Sequence, residues 1–520
     1  MAARRIAYAL ALCGATTGAA WGQDRPLSAI DWLRDEVATD PLPPLDEPAT
    51  SVGAGSETIE VKPLDAPSKD AVGLLPPSRT GLPPALWGAS DPAELVRLLA
   101  AAQGGTVPAM RDLLMVLLLA EARPPEGTGA GAGTGVDTGQ TLFLARIDTL
   151  IEMGALDRAQ ALLDRAGADT AETFARWLDV SLLTGDEAAA CQALVRAPDL
   201  APSLASRIFC LAREGDWEAA ALTLDTARAL QALSGVEDAI LERYLFPEMF
   251  EEAPPLTPPS VPSPLLFRLF EVAAEPIPTT LLPLAYAPSD LRPAAGWKAQ
   301  IEAAERLARA GVIEANRLMG LYTARQPAAS GGVWDRVAAV QALDAALSQG
   351  ATGDIDAAMA PAWEVLAQAS LEPVFAALFA TRLSAVQQDL SPQAAELAFE
   401  AGLLSADYQT LAAAYTTSEA RARFLKGVAS GDLTGLVPPD AVAAAVADGF
   451  AAIGPPPRLA PILAQGNLGE AILHAVVAGH QGGRGDLEKL AEAIAFLRAV
   501  GLDQAARRLA LDVMVLGVTP

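Results

Sequence analysis

The chain has 520 residues, half of them hydrophobic but only 5% aromatic, and its 37 Lys and Arg against 63 Asp and Glu leave a net charge of −26. Alanine and leucine therefore supply the core, which suits helices better than sheets. So acidic a chain repels nucleic acid and anionic membrane surfaces and leaves a basic protein partner allowed. The length admits two or three domains.

Residues 1–22 have the form of a cleaved secretory signal peptide. Arg4 and Arg5 precede a short apolar run from Ile6 to Cys13, and Ala20 and Gly22 put small residues at −3 and −1 before Gln23. Leu12 stands where a lipoprotein site needs a small residue before Cys13. No later stretch is long and apolar enough to span a bilayer, so no membrane insertion is expected after cleavage. The alanine-rich bias and the double arginine suggest a bacterial protein, with the periplasm as its compartment.

Residues 23–40 form an island. Leu27, Ile30 and Leu33 recur at helical spacing with Trp32 beside them, which predicts a short amphipathic helix too small to be stable alone. Residues 41–90 follow as a proline-rich, acidic linker, expected to be disordered or extended. The helix would thus sit on a tether, free to dock on a partner or to fold back on its own chain. Helical sequence opens at Asp91 with helices expected over about 91–103 and 107–122. The glycine-rich run 127–135 fits a dinucleotide fingerprint only loosely. It lacks the preceding strand that the fingerprint needs, and it reads as a surface loop.

From Phe143 to Ala227 one phrase recurs: Gly154-Ala-Leu-Asp-Arg-Ala159, Gly185-Asp-Glu-Ala-Ala-Ala190 and Gly215-Asp-Trp-Glu-Ala-Ala220. Leu163 and Ala166, Leu194 and Ala197, and Leu224 and Ala227 follow at fixed offsets. Gly ends one helix in the left-handed conformation, Asp186 is placed to cap the next, and Ala and Leu line its inner face. Pro202 is placed to open the following unit. A helical period near 30 predicts stacked helix pairs, a solenoid. The Gly-Asp turn with Ala, a large residue and Ala at those offsets resembles the tetratricopeptide (TPR) repeat over residues 143–232. It departs from that pattern at Ile147, Leu178 and Ile208, where the family has a small residue. The resemblance implies TPR-like packing.

Cys191 and Cys210 lie on consecutive predicted helices, and an exported chain with two remaining cysteines makes a disulfide plausible. A second proline-rich stretch, 254–296, separates an N-terminal helical repeat domain (91–253) from a C-terminal one (297–520). In the latter the turn echoes at Gly353, Gly431, Gly485 and Gly501. The loop from Tyr322 to Arg336 gathers Tyr322, Arg325, Trp334 and Arg336, residue types that anchor interfaces; the plainer reading has Trp334 fixing the loop to the core.

No catalytic constellation, cofactor motif or metal-ligand spacing is found. His474 and His480 lie six apart, and Gly479 argues against an unbroken helix between them. Murein-cleaving transglycosylases, which pair a helical superhelix with a lysozyme-like domain, carry a Glu-Ser start and a Gly-Leu-Met-Gln stretch; neither occurs here. The reading is an all-α, TPR-like α-solenoid or superhelix with a proline-rich N-terminal tether. It would serve as an exported, non-catalytic scaffold or adaptor that binds a protein or peptide. The alternatives are a murein-processing enzyme with an unfamiliar carboxylate site, or a self-assembling structural protein.

Overall fold

Left-handed glycines punctuate the repeated stretch. Gly154, Gly185 and Gly215 have φ of 76°, 80° and 90°, and each closes one helix before the next begins. The computed structural model describes residues 68–126, 140–327 and 329–518. The expected signal peptide, the expected helix of Leu27, Ile30, Trp32 and Leu33, most of the expected linker and the glycine-rich run lie outside the described residues.

Three helix pairs follow in sequence order: Thr141–Glu152 with Leu156–Ala166, Ala171–Thr184 with Ala188–Arg196, and Leu204–Arg213 with Trp217–Ala229. Thr170 and Ser203 begin the second and third pairs with reciprocal caps to Thr173 and Ser206. Ala159, Leu163, Ala190, Leu194, Ala220, Leu224 and Ala227 are buried as their offsets require, whereas Ala166 and Ala197 are half-buried and Ala197 lies just past the end of its helix. Two further details differ from expectation. Asp216 caps its helix through Ala219, but the middle helix starts after Glu187, not Asp186; Glu187 is fully buried there and held by Arg213 and Arg268. Pro202 lies just before the next helix, which Ser203 caps. The Cys191–Cys210 disulfide joins the second helix of one pair to the first of the next.

The proline-rich middle is packed. The helix Pro264–Val272 and the 3-10 segment Leu284–Leu291 lie against Ala171–Thr184 on one side, and the 3-10 segment continues onto Trp297–Arg309. Ser289 donates to the Leu183 carbonyl at 2.7 Å, and Tyr286 donates to that of Pro262. Beyond it the all-helical pattern resumes, helix against successive helix as far as Ala420–Ser430; Ala441–Ala451 then packs on Leu487–Ala499 rather than on its sequence neighbours, and the described chain closes with Asp503–Leu516. Gly431, Gly485 and Gly501 end helices in the left-handed conformation, whereas Gly353 sits inside the first turn of Thr352–Ala367. Among the described residues there is no strand; a single bridge pairs Leu75 with Ala120.

The first and last described helices meet. Pro92–Ala102 and Pro108–Leu119 pack against Leu468–Gly483, and the latter of the two also against Asp503–Leu516. One continuous core joins Trp87, Leu98, Met110 and Leu114 to Leu473, Val476, Leu509 and Val513. Residues 68–90, placed in the linker by composition, belong to this packing, with Leu86 and Trp87 buried. The Leu468–Gly483 helix runs unbroken through Gly479, against the expectation from sequence. Close approach explains the glycines: a Cβ at Gly479 would lie 2.7 Å from the Met110 side chain, and one at Gly469 2.5 Å from the Trp87 ring. The helix tolerates them because tertiary packing, not intrinsic propensity, supports it.

Candidate functional site

The aromatic and arginine loop proposed from sequence is tied inward. Tyr322 is fully buried and donates to Glu305 at 2.8 Å, and Arg336 grips the same carboxylate with two bonds of 2.7 and 2.6 Å. Burial and the Glu305 charge hold the Tyr322 phenol well above its ordinary range. Trp334 packs on Trp297 with ring centres 5.0 Å apart, and Trp297 donates to the Leu321 carbonyl. Arg325 is exposed, and its carbonyl accepts from Gln341. The structure thus brings Tyr322 and Arg336 together on Glu305 and leaves Arg325 at the surface.

A different place gathers chemistry from distant parts of the chain. A cavity of about 400 Å³ lies where the first and last described helices meet, lined by residues from 105–111, 306–310, 370–373 and 512–517, with Leu284 and Gly483. Arg111, Arg306 and Arg309 line it together with Glu372 and Asp512. A neighbouring cavity of about 360 Å³ shares Arg111 and Arg309 and adds Asp112 and Arg508. The remaining wall of the first is largely apolar, including Val107, Pro108, Val513 and Leu516.

Helix ends place these groups. Asp512 accepts the Ala109 N–H at 2.7 Å and so caps the helix that starts at Pro108. Arg111, one turn into that helix, reaches across to the Arg309 carbonyl. Arg309 in turn donates to the Ala369 carbonyl at 2.7 Å, and Arg306 donates to those of Thr279 and Leu282 at 2.8 and 2.6 Å. Arg111 and Arg309 so meet helix C-terminal ends, where the exposed carbonyls favour a cation. Beside the cavity, His480 Nδ1 accepts the Val107 N–H at 3.4 Å, and Arg484 donates to the Gly104 carbonyl at 2.8 Å.

Burial sets the ionisation here. It pushes the Asp512 carboxyl up to about 7, against the pull of the Ala109 N–H and of Arg508 and Arg111. Burial also raises Glu372 and lowers the proton affinity of Arg111. It drives His480 down to about 4, with Arg111 and Arg484 adding to the effect. Among the described residues no group of three or more His, Cys, Asp and Glu could hold a metal ion, and no helix is long and apolar enough to cross a membrane.

Sequence reading missed Arg111, Arg306, Arg309, Glu372 and Asp512. No local motif marks them, because they come from four helices far apart in sequence and converge only when the first and last described helices meet. No family model matches the chain, no curated protein matches it, and no solved structure matches it.

Proposed function

We propose that the protein is an exported, non-catalytic helical scaffold, TPR-like in its repeat packing, that binds a protein or peptide partner in the periplasm. The observation that carries this reading is the run of three helix pairs in register, each turned by a left-handed glycine and stacked on its neighbour. Stacked helix pairs offer extended surfaces and inter-helix crevices that suit peptide recognition. The test is cross-linked affinity capture from the native envelope with the exported chain as bait. The expected result is one protein recovered in stoichiometric amount. Recovery of murein fragments without a protein would count against the adaptor.

One observation favours a second reading, a murein-processing enzyme. Glu372 and Asp512 line the same cavity, and burial raises both carboxyls, as general acid catalysis requires. Against it, Asp512 is 3% exposed and one of its oxygens is held by the Ala109 N–H. Glycan release from purified murein, lost in both Glu372→Gln and Asp512→Asn, would establish the enzyme.

A further inference from the structure

Several half-buried arginines in this protein face carboxylates: Arg336 meets Glu305, and Arg268 meets Glu187 and Glu271. The arginines of the two neighbouring cavities, like the buried Arg146, do not. Arg111, Arg306, Arg309 and Arg508 bond only carbonyls, and none of the four forms an ion pair among the described residues. The Nε atoms of Arg111 and Arg508 are buried there without a hydrogen-bond partner.

A guanidinium carries five N–H donors, and one or two carbonyl bonds leave most of them unused. A cation taken out of water without a counter-charge is costly, so a cluster of such cations calls for an anion. The nearby carboxyls offset the charge only at a distance: Asp512 is committed to Ala109, Glu372 makes no ion pair, and Asp112 of the neighbouring cavity attracts Arg111 and Arg508 without bonding either. The chain as a whole, at −26, repels anions, so any attraction must come from this local group. The apolar wall of Val107, Pro108, Val513 and Leu516 adds a second requirement. An anion with nothing apolar attached would leave that wall unfilled.

We propose that the cavity between the first and last described helices binds a carboxylate carried on an apolar body, with Arg111 and Arg309 as its ligands and Leu516 and Val513 against the body. Guanidinium and carboxylate match in planar, two-bond geometry, which fits the arginines better than a point charge would. Two sources carry this chemistry, an acidic or terminal carboxylate of a peptide and a small aliphatic acid. The peptide source rests on the adaptor reading above; the site itself does not.

The test is calorimetric titration of the full chain with four probes: octanoate, octanol, acetyl-Leu-Leu-Glu as the free acid, and acetyl-Leu-Leu-Gln amide. At least one carboxylate should bind saturably while its neutral counterpart does not. Arg309→Gln and Arg111→Gln should each weaken that binding at least tenfold. Arg111 also braces the Arg309 carbonyl, so Leu516→Trp, which fills the cavity and leaves every guanidinium in place, should abolish binding independently. Thermal melts identify any variant that fails to fold. Octanoate binding without peptide binding would uphold the site and remove the peptide source. Peptide binding unchanged by Arg309→Gln and Leu516→Trp would leave the adaptor standing and overturn the site. No saturable carboxylate binding to the wild type would overturn it as well.

Discussion

Asp512 and Ala109 stand 403 residues apart in the chain and are bonded in the fold, carboxylate to N–H at 2.7 Å. The bond fastens the first helices of the described chain to its last, and it is built on a group with a displaced ionisation. The Asp512 carboxyl titrates near 7 in the folded state against 3.8 in an ordinary setting. The folded state therefore holds a proton that the unfolded state has lost. The resulting stabilisation is full at low pH and is lost as pH rises through about 7. Asp512→Asn keeps an acceptor for Ala109 and cannot ionise. Between pH 5.5 and 8 the wild type should lose about 2 kcal/mol relative to Asp512→Asn in urea unfolding. A difference that stays constant with pH would contradict the assignment.

His480 works in the opposite direction. Its imidazole falls to about 4 on folding from an ordinary 6.5, so between those values the unfolded state binds the extra proton. Stability then declines as pH falls below about 6.5 and continues to decline to about 4. His480→Asn can keep an acceptor for the Val107 N–H without charging. In the Asp512→Asn background, which removes the opposing titration, it should abolish about 2 kcal/mol of acid destabilisation between pH 6 and 4. Parallel pH profiles with and without the histidine would refute this.

Arg146 is 1% exposed and bonds four carbonyls: Leu118 at 2.8 Å, Ala120 at 3.0 Å, Val72 at 2.8 Å and Asp70 at 3.4 Å. It holds residues 70–72 and the end of the Pro108–Leu119 helix to the first repeat helix. Arg146→Met would leave those acceptors buried and unpaired, at a cost of about 3 to 5 kcal/mol. Equilibrium unfolding measures it. A loss below about 1 kcal/mol would mean that the segment is held by apolar contacts alone.

The Cys191–Cys210 bond closes a short loop between two repeat units, at a sequence separation of 19. Replacing both cysteines by serine should cost about 3 kcal/mol on the chain-entropy account, without loss of helix content. Free thiols in protein isolated from its native cells would show that the bond does not form there.

How far the sequence carries is clear from these residues. The repeat turns were legible because Gly154, Gly185 and Gly215 share one backbone requirement and one register. The disulfide followed from two cysteines on neighbouring predicted helices. The meeting of the first and last described helices was not legible, since nothing in local periodicity says that Pro108 will lie beside Asp512. Gly479 misled for the same reason: its cost to the helix is local, whereas its benefit, room for Met110, comes from a segment more than 360 residues away. Glu305 explains Tyr322 and Arg336 together, yet its sequence setting resembles that of any surface carboxylate on a helix. The cavity arginines look like ordinary helix-end cations until the carbonyls that they bond are known.

The most direct measurement is site-specific photo-cross-linking in intact cells, with p-benzoylphenylalanine at the exposed Thr106 on the cavity rim and at the fully exposed Ile453 as the control position. The account predicts one discrete protein adduct at position 106, absent at 453 and lost when Arg309→Gln is added. No protein adduct at position 106, or an adduct that persists unchanged in Arg309→Gln, would contradict a peptide occupant of the cavity.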